Sequence, residues 1–235
     1  MALKTKTDYY GLASSGWEVS DTSENREVGY MAEAQGPDGF LVAIDADGEI
    51  VAPEVNYVAT SNATLASVVL GSVKTILGKT VALGGITINT SAGAAPTMTA
   101  TGSQIEDGGS AHCTCTLGGV SVSSLYHAQD FGLFTVSNGQ LTQSTLTITG
   151  DVATTRVDGV IKSSDLVGGS IEVTGTIIGV TDAGALATPT VTLNTPSGNV
   201  LSGVLTQPLS ETNPNGEFPT YSFTGRWALK ADSGS

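Results

Sequence analysis

Threonine at every second position is the feature that most constrains this chain. Thr97-Met98-Thr99-Ala100-Thr101, Thr114-Cys115-Thr116, Thr147-Ile148-Thr149 and Thr190-Val191-Thr192 all carry it. Successive side chains of a strand point to opposite faces, and β-branched residues suit a pleated, half-exposed surface. Further strand-like segments cover 81–89, 112–117, 131–136, 141–149, 159–161, 170–180 and 221–229. A chain of 235 residues is long enough to bury a real core. The expectation is a mainly β protein: an antiparallel β-sandwich or barrel-like domain over 39–235, one or two short helices, and an extended N-terminal arm over 1–38.

The arm is polar, mixed in charge and without sustained periodicity, yet it holds Tyr9, Tyr10 and Trp17. Aromatic rings need a surface. An ordinary N-terminal strand and loop would supply one within the chain; an arm would place all three against a neighbouring subunit. Next, Phe40-Leu41-Val42-Ala43-Ile44 and Glu49-Ile50-Val51-Ala52 flank Asp45-Ala46-Asp47-Gly48, which reads as a hairpin turn, with Pro53 limiting the return strand to an edge or an end. Leu65, Val69, Val73, Ile76 and Leu77 fall at helical spacing, so 62–77 is the best helix candidate, capped by Ser61 or Asn62 and ended by Gly78. Its β-branched residues and Gly71 keep a strand pair as the alternative. A second short helix is expected from Ser123 to Phe131, ended by Gly132. Asn138-Gly139 between Phe134-Thr135-Val136 and Leu141 signals a hairpin. Four strands share an ending, at Gly102, Gly150, Gly175 and Gly225, which suggests two related units over about 81–155 and 156–230.

Charge excludes several classes. Nine basic residues face 22 acidic ones, a formal net charge of −13. Tight binding to nucleic-acid phosphate needs clustered Lys and Arg, which are absent. No apolar run approaches the 18 residues of a membrane helix, and the first residues lack the apolar region of a signal peptide. Cys113 and Cys115, two residues apart on a strand, are poorly placed for a disulfide, which suits a reducing cytoplasm.

No constellation completes a catalytic or metal site. Asp45, Asp47 and Glu49 open like a calcium loop, but Ile50-Val51-Ala52-Pro53 follows where ligands are needed. In a strand His112 points to the face opposite both Cys113 and Cys115, so three ligands do not converge there. His127 and Asp130 lack a Gly-x-Ser-x-Gly elbow. Gly84-Gly85 and Gly168-Gly169 lack the residues of a phosphate loop. Glu106, Asp107, Glu172 and Glu217 cannot be paired into a glycosidase dyad by sequence. The expectation is no enzyme, no cofactor and no metal.

What remains is a weakly charged β-scaffold. Charged residues make up 13 %, against roughly 25 % in an ordinary domain. A surface covered by copies of itself needs fewer charges. The segment from Leu141 through Ile178 resembles bacteriophage tail tube (major tail) proteins, above all Thr147-Ile148-Thr149-Gly150-Asp151 followed by Gly168-Gly169-Ser170-Ile171-Glu172-Val173-Thr174-Gly175. The Met-Ala start and extended first segment are similar to that family too. The resemblance implies hexameric rings whose long hairpins join into one barrel, with loops and termini locking stacked rings together. It also implies a virion assembled in the host cytoplasm, other virion proteins as partners, and DNA passing without specific binding or any membrane. Asp151, Asp158 and Glu172 are the candidate acidic residues of the lumen. The rivals are a head decoration or head–tail joining protein, and an extracellular β-sandwich adhesin or carbohydrate-binding module.

Overall fold

The computed structural model describes residues 6–13, 16–105, 115–122, 125–136, 139–157, 160–179, 183–186, 191–193, 199–200, 204–212 and 218–230. These residues form strands and turns, with no helix among them. The long strands are β1 (Trp17–Gln35), β2 (Leu41–Ala59), β5 (Lys79–Ser91), β6 (Ala94–Ile105), β9 (Gln140–Val157), β10 (Val160–Ile178) and β15 (Thr220–Lys230). The shorter ones are β3 (Ala63–Leu70), β4 (Val73–Ile76), β7 (Cys115–Val122), β8 (Phe134–Val136), β11 (Ala183–Leu186), β12 (Val191–Leu193), β13 (Asn199–Val200) and β14 (Val204–Thr212).

One antiparallel sheet dominates, in the order β1-β2-β6-β5-β9-β10-β15-β13, with β14 also on β15 and β4 on β5. It does not close on itself. Two small sheets, β12-β7-β3 and β11-β8, complete a mainly β, sandwich-like fold. Strand register explains the alternating sequence. Thr22, Val55, Ala100, Ile86, Ile148, Ile171 and Trp227 lie side by side across seven strands, and all are buried. One residue over, Asp21, Asn56, Thr99, Thr87, Thr147, Glu172 and Arg226 form the matching row on the opposite, polar face. The threonines are the wet side of the pleat.

The core on the apolar face also takes in Tyr10, Leu70 of β3, Ile76 of β4, Val122 of β7, Phe134 of β8, and Phe131 and Leu133 just before β8. Phe134 meets Phe223 edge to face, with ring centroids 4.8 Å apart at 63°. Close packing demands glycine at Gly102, at Gly169 and, against the Phe223 ring, at Gly175. A Cβ at Gly102 would collide with the Tyr10 hydroxyl and the Val81 side chain, and one at Gly169 would collide with the Thr149 carbonyl.

Several expectations are corrected. The 62–77 segment is not a helix but the two strands β3 and β4, paired with β7 and β5 rather than with each other. Gly71, at φ +79°, breaks the run between them, and its N–H binds the Leu83 carbonyl. The described part of 123–131 is a turn, with Tyr126 and Phe131 at positive φ, a conformation outside the right-handed helix. Asp45 to Gly48 is no turn: it lies inside β2, opposite Tyr30, Met31 and Ala32. The chain reverses instead at Gly36–Phe40, where the Gly36 N–H binds the Phe40 carbonyl. Around Asn138-Gly139 no hairpin forms among the described residues, because β8 pairs with β11 and β9 with β5 and β10. Within the segment expected as an extended arm, residues 17–35 form β1, paired along β2. The strands run past the four glycines, to Ile105, Val157, Ile178 and Lys230.

Candidate assembly surfaces

Two strand pairs outgrow the sheet. β2 pairs with β6 only from Glu54 to Val58, while β1 follows β2 back to Leu41. The ladder to β6 stops beside Pro53, which has no N–H to extend it. The 13 residue steps from Leu41 to Glu54 span about 43 Å at ~3.3 Å per residue. Likewise β9 leaves β5 after Thr149 and β10 leaves β15 before Gly168, so 151–157 and 160–167 pair only with each other. The registers place Glu54, Thr101, Gly85, Thr149 and Ser170 in one row, and both ribbons start beyond it. They therefore project from the same end of the sheet, three strand spacings or about 14 Å apart. Among the described residues no strand pairs with the outer edge of β1, of 151–157 or of 160–167. Such edges carry free N–H and C=O groups and are templates for another strand.

The first ribbon is pinned at its root by the segment before β1. The Asp8 carboxylate accepts hydrogen bonds from the Gly11, Leu12 and Ala13 N–H groups at 2.9, 3.2 and 2.8 Å, and from the Tyr57 hydroxyl at 2.7 Å. The Tyr10 hydroxyl donates to the Pro53 carbonyl at 2.8 Å, and the Tyr9 hydroxyl to Glu24. Val51 N–H donates to Gln104 Oε1 at 2.9 Å. Burial pushes the Tyr10 hydroxyl pKa up, with the Glu54 charge adding to it. Burial and the Asp8 contact raise that of Tyr57. For Tyr9 the bond to Glu24 leads the rise.

These facts place the aromatic trio. Tyr10 and Trp17 are buried in the chain's own core, 5 % and 2 % exposed. Tyr9 is half-buried against the same core. The Trp17 indole N–H is buried without a hydrogen-bond partner among the described residues. Of the acidic trio, Asp151 is exposed at the root of the β9–β10 ribbon, opposite Gly168. Glu172 is half-buried on the polar face between Thr147 and Arg226. Asp158 lies outside the described residues, as do His112 and Cys113; Cys115 opens β7. Among the described residues no three metal-ligating side chains gather.

Sequence reasoning missed the ribbons, because their length is set by which strands stop pairing, and that is a matter of register. Pro53 and Gly168-Gly169 mark both roots and were the available signals. A groove of about 360 Å³, lined by Ala128, Gln129, Asp130, Thr135, Val136 and Leu141, opens at the other end of the sheet. Compared with known proteins, the chain matches no family model and no curated protein sequence.

Proposed function

We propose that this chain is a structural subunit of a phage virion, a tail tube protein that assembles into stacked rings and guides DNA without chemistry. The observation that carries this reading is the pair of long ribbons leaving one end of the sheet with unpaired edges. A two-stranded ribbon is marginal alone in water and is stabilised by further strands. Joined edge to edge around a ring, the ribbons of successive copies form a continuous barrel, and closure removes the edges. The Thr-rich polar face and the low charge density fit a surface that meets other copies. With ribbons lining the channel, Asp151 at the root of one of them faces the passage and repels phosphate.

Negative-stain electron microscopy of the purified full chain, over a range of concentrations, tests it. Rings with an axial hole, stacking into tubes, are expected. Particles without a central opening favour the decoration reading, and a strict monomer at tens of micromolar removes the assembly argument.

A further inference from the structure

The two ribbons leave the sheet in different ways. At the β9 root a strand takes over. β5 pairs with β9 as far as Gly85 and Thr149, and beyond them β4 runs along β5, Val73 to Ile76 against Ala82 to Lys79. β6 holds the other edge of β5 at Thr80 to Ala82, so β4 fills the place that β9 gives up. At the β2 root no strand among the described residues does this for β6. The β2–β6 ladder ends at Glu54 and Thr101, although β6 runs on to Ile105 and β2 back to Leu41. Continued in the same register, Pro53 would face Gly102 and Val51 would face Gln104.

Side chains stand where those two pairs would form. The Val51 N–H donates to the Gln104 side-chain Oε1 at 2.9 Å, so the facing residue offers its side chain to that N–H. The Pro53 carbonyl accepts from the Tyr10 hydroxyl at 2.8 Å. That hydroxyl lies where a side chain on Gly102, the other facing residue, would have to go. Tyr10, Val51 and Gln104 are all buried. Buried main-chain groups need partners, so whatever takes these two decides how far β2 stays on β6. We infer that Tyr10 and Gln104 are positioning residues that split the sheet. They satisfy the β2 groups that a longer ladder to β6 would use, and so fix where the β1–β2 ribbon leaves and which way it points. Pro53 alone would not do this, because it removes its own N–H but neither its carbonyl nor the Val51 N–H. Gly102 makes the room. The inference concerns a single chain and holds whether or not copies build tubes. In the proposed subunit it makes the direction of one assembly edge depend on two buried side chains away from that edge.

Double electron–electron resonance reads that direction. The full chain carries nitroxides on Asp38→Cys, beside the ribbon tip, and on Ala228→Cys in β15, both exposed positions, with Cys113→Ser and Cys115→Ser. Dilution in excess unlabelled protein leaves only distances within one copy. A single narrow distribution is expected. Tyr10→Phe with Gln104→Met keeps the bulk of both side chains and removes both hydrogen bonds. It should move the mean by one strand spacing, ~5 Å, or more, or broaden the distribution by as much. Gln104→Glu, which keeps an acceptor at the same reach, should retain the parent distribution. Where the double variant does not fold, Gln104→Met alone is read by the same criterion. An unchanged distribution in the folded variant, with only a lower melting temperature, overturns the inference, since the two contacts then stabilise the root without directing the ribbon. A broad distribution in the parent overturns it too.

Discussion

Asp8 closes a small polar knot, and its four acceptor contacts join the N-terminal segment to Tyr57 of β2. Asp8→Ala frees three backbone N–H groups and the buried Tyr57 hydroxyl at once. It should cost about 1–3 kcal/mol, read as a lower urea midpoint at unchanged slope. The tyrosines around the knot make a second prediction. A raised hydroxyl pKa means that the folded state holds the proton more tightly than the unfolded chain, whose value is about 10. That contribution is intact below about pH 10 and is lost as pH rises toward the folded values. Stability should fall above pH 10 by at most about 1.4 kcal/mol per pH unit for each of Tyr10 and Tyr57. Tyr10→Phe with Tyr57→Phe should be less stable at pH 7 yet flatter above pH 10, as followed by melting at stepped pH. An equally steep alkaline decline in that variant would place its cause elsewhere.

The structure changes what truncation is expected to do at the scale of the element. An arm packed on a neighbour would be removable without harm to the fold. Deleting residues 1–20 instead takes Tyr10 and Trp17 out of the core, so the product should melt far lower or fail to fold, as circular dichroism would report. The separable elements are the ribbons. Replacing residues 28–49 by Asn-Gly joins Glu27 to Ile50, which already face each other in register. That variant should keep the melting temperature within a few degrees and lose assembly in light scattering; normal assembly would deny the ribbon its role. Legibility divides along the same line. Alternation such as Thr97 to Thr101 marks a strand wherever it falls, because period two is local. Leu65, Val69 and Val73 satisfied helical spacing by coincidence, and what decided against it was the turn at Gly71 together with pairing to β7 and β5. Asp47-Gly48 has turn chemistry too, yet it is carried through by 17 registered pairs between β1 and β2. Which strands protrude, and therefore where the candidate site lies, depends on partners distant in sequence.

At the scale of the whole molecule, charge opposes the proposed self-association. Each copy carries a formal −13, so in the proposed assembly bringing many together raises repulsion that unpaired strand edges and exposed apolar side chains must overcome. Class and charge were legible in the composition, but which apolar side chains stay exposed was not, since Phe40 and Phe218 look no different in sequence from the buried Phe223. The balance makes assembly salt-dependent in a definite direction. At 0.01 M salt the Debye length is about 30 Å, comparable with the spacing of neighbouring subunits, and every copy feels the charge of the next. At 0.15 M it is about 8 Å, and only carboxylates in direct proximity still repel. Assembly should therefore strengthen between these two ionic strengths. A contact built on opposite charges would do the reverse, because salt would screen attraction. Lowering the pH toward the calculated isoelectric point of about 4.2 should act in the same sense as salt, by removing the net charge rather than screening it. Sedimentation velocity at fixed protein concentration, stepped first in salt and then in pH, separates the cases. A larger assembled fraction at 0.15 M than at 0.01 M is the expected result; a smaller one would mean that ion pairs between copies, not strand edges and apolar contacts, hold the assembly.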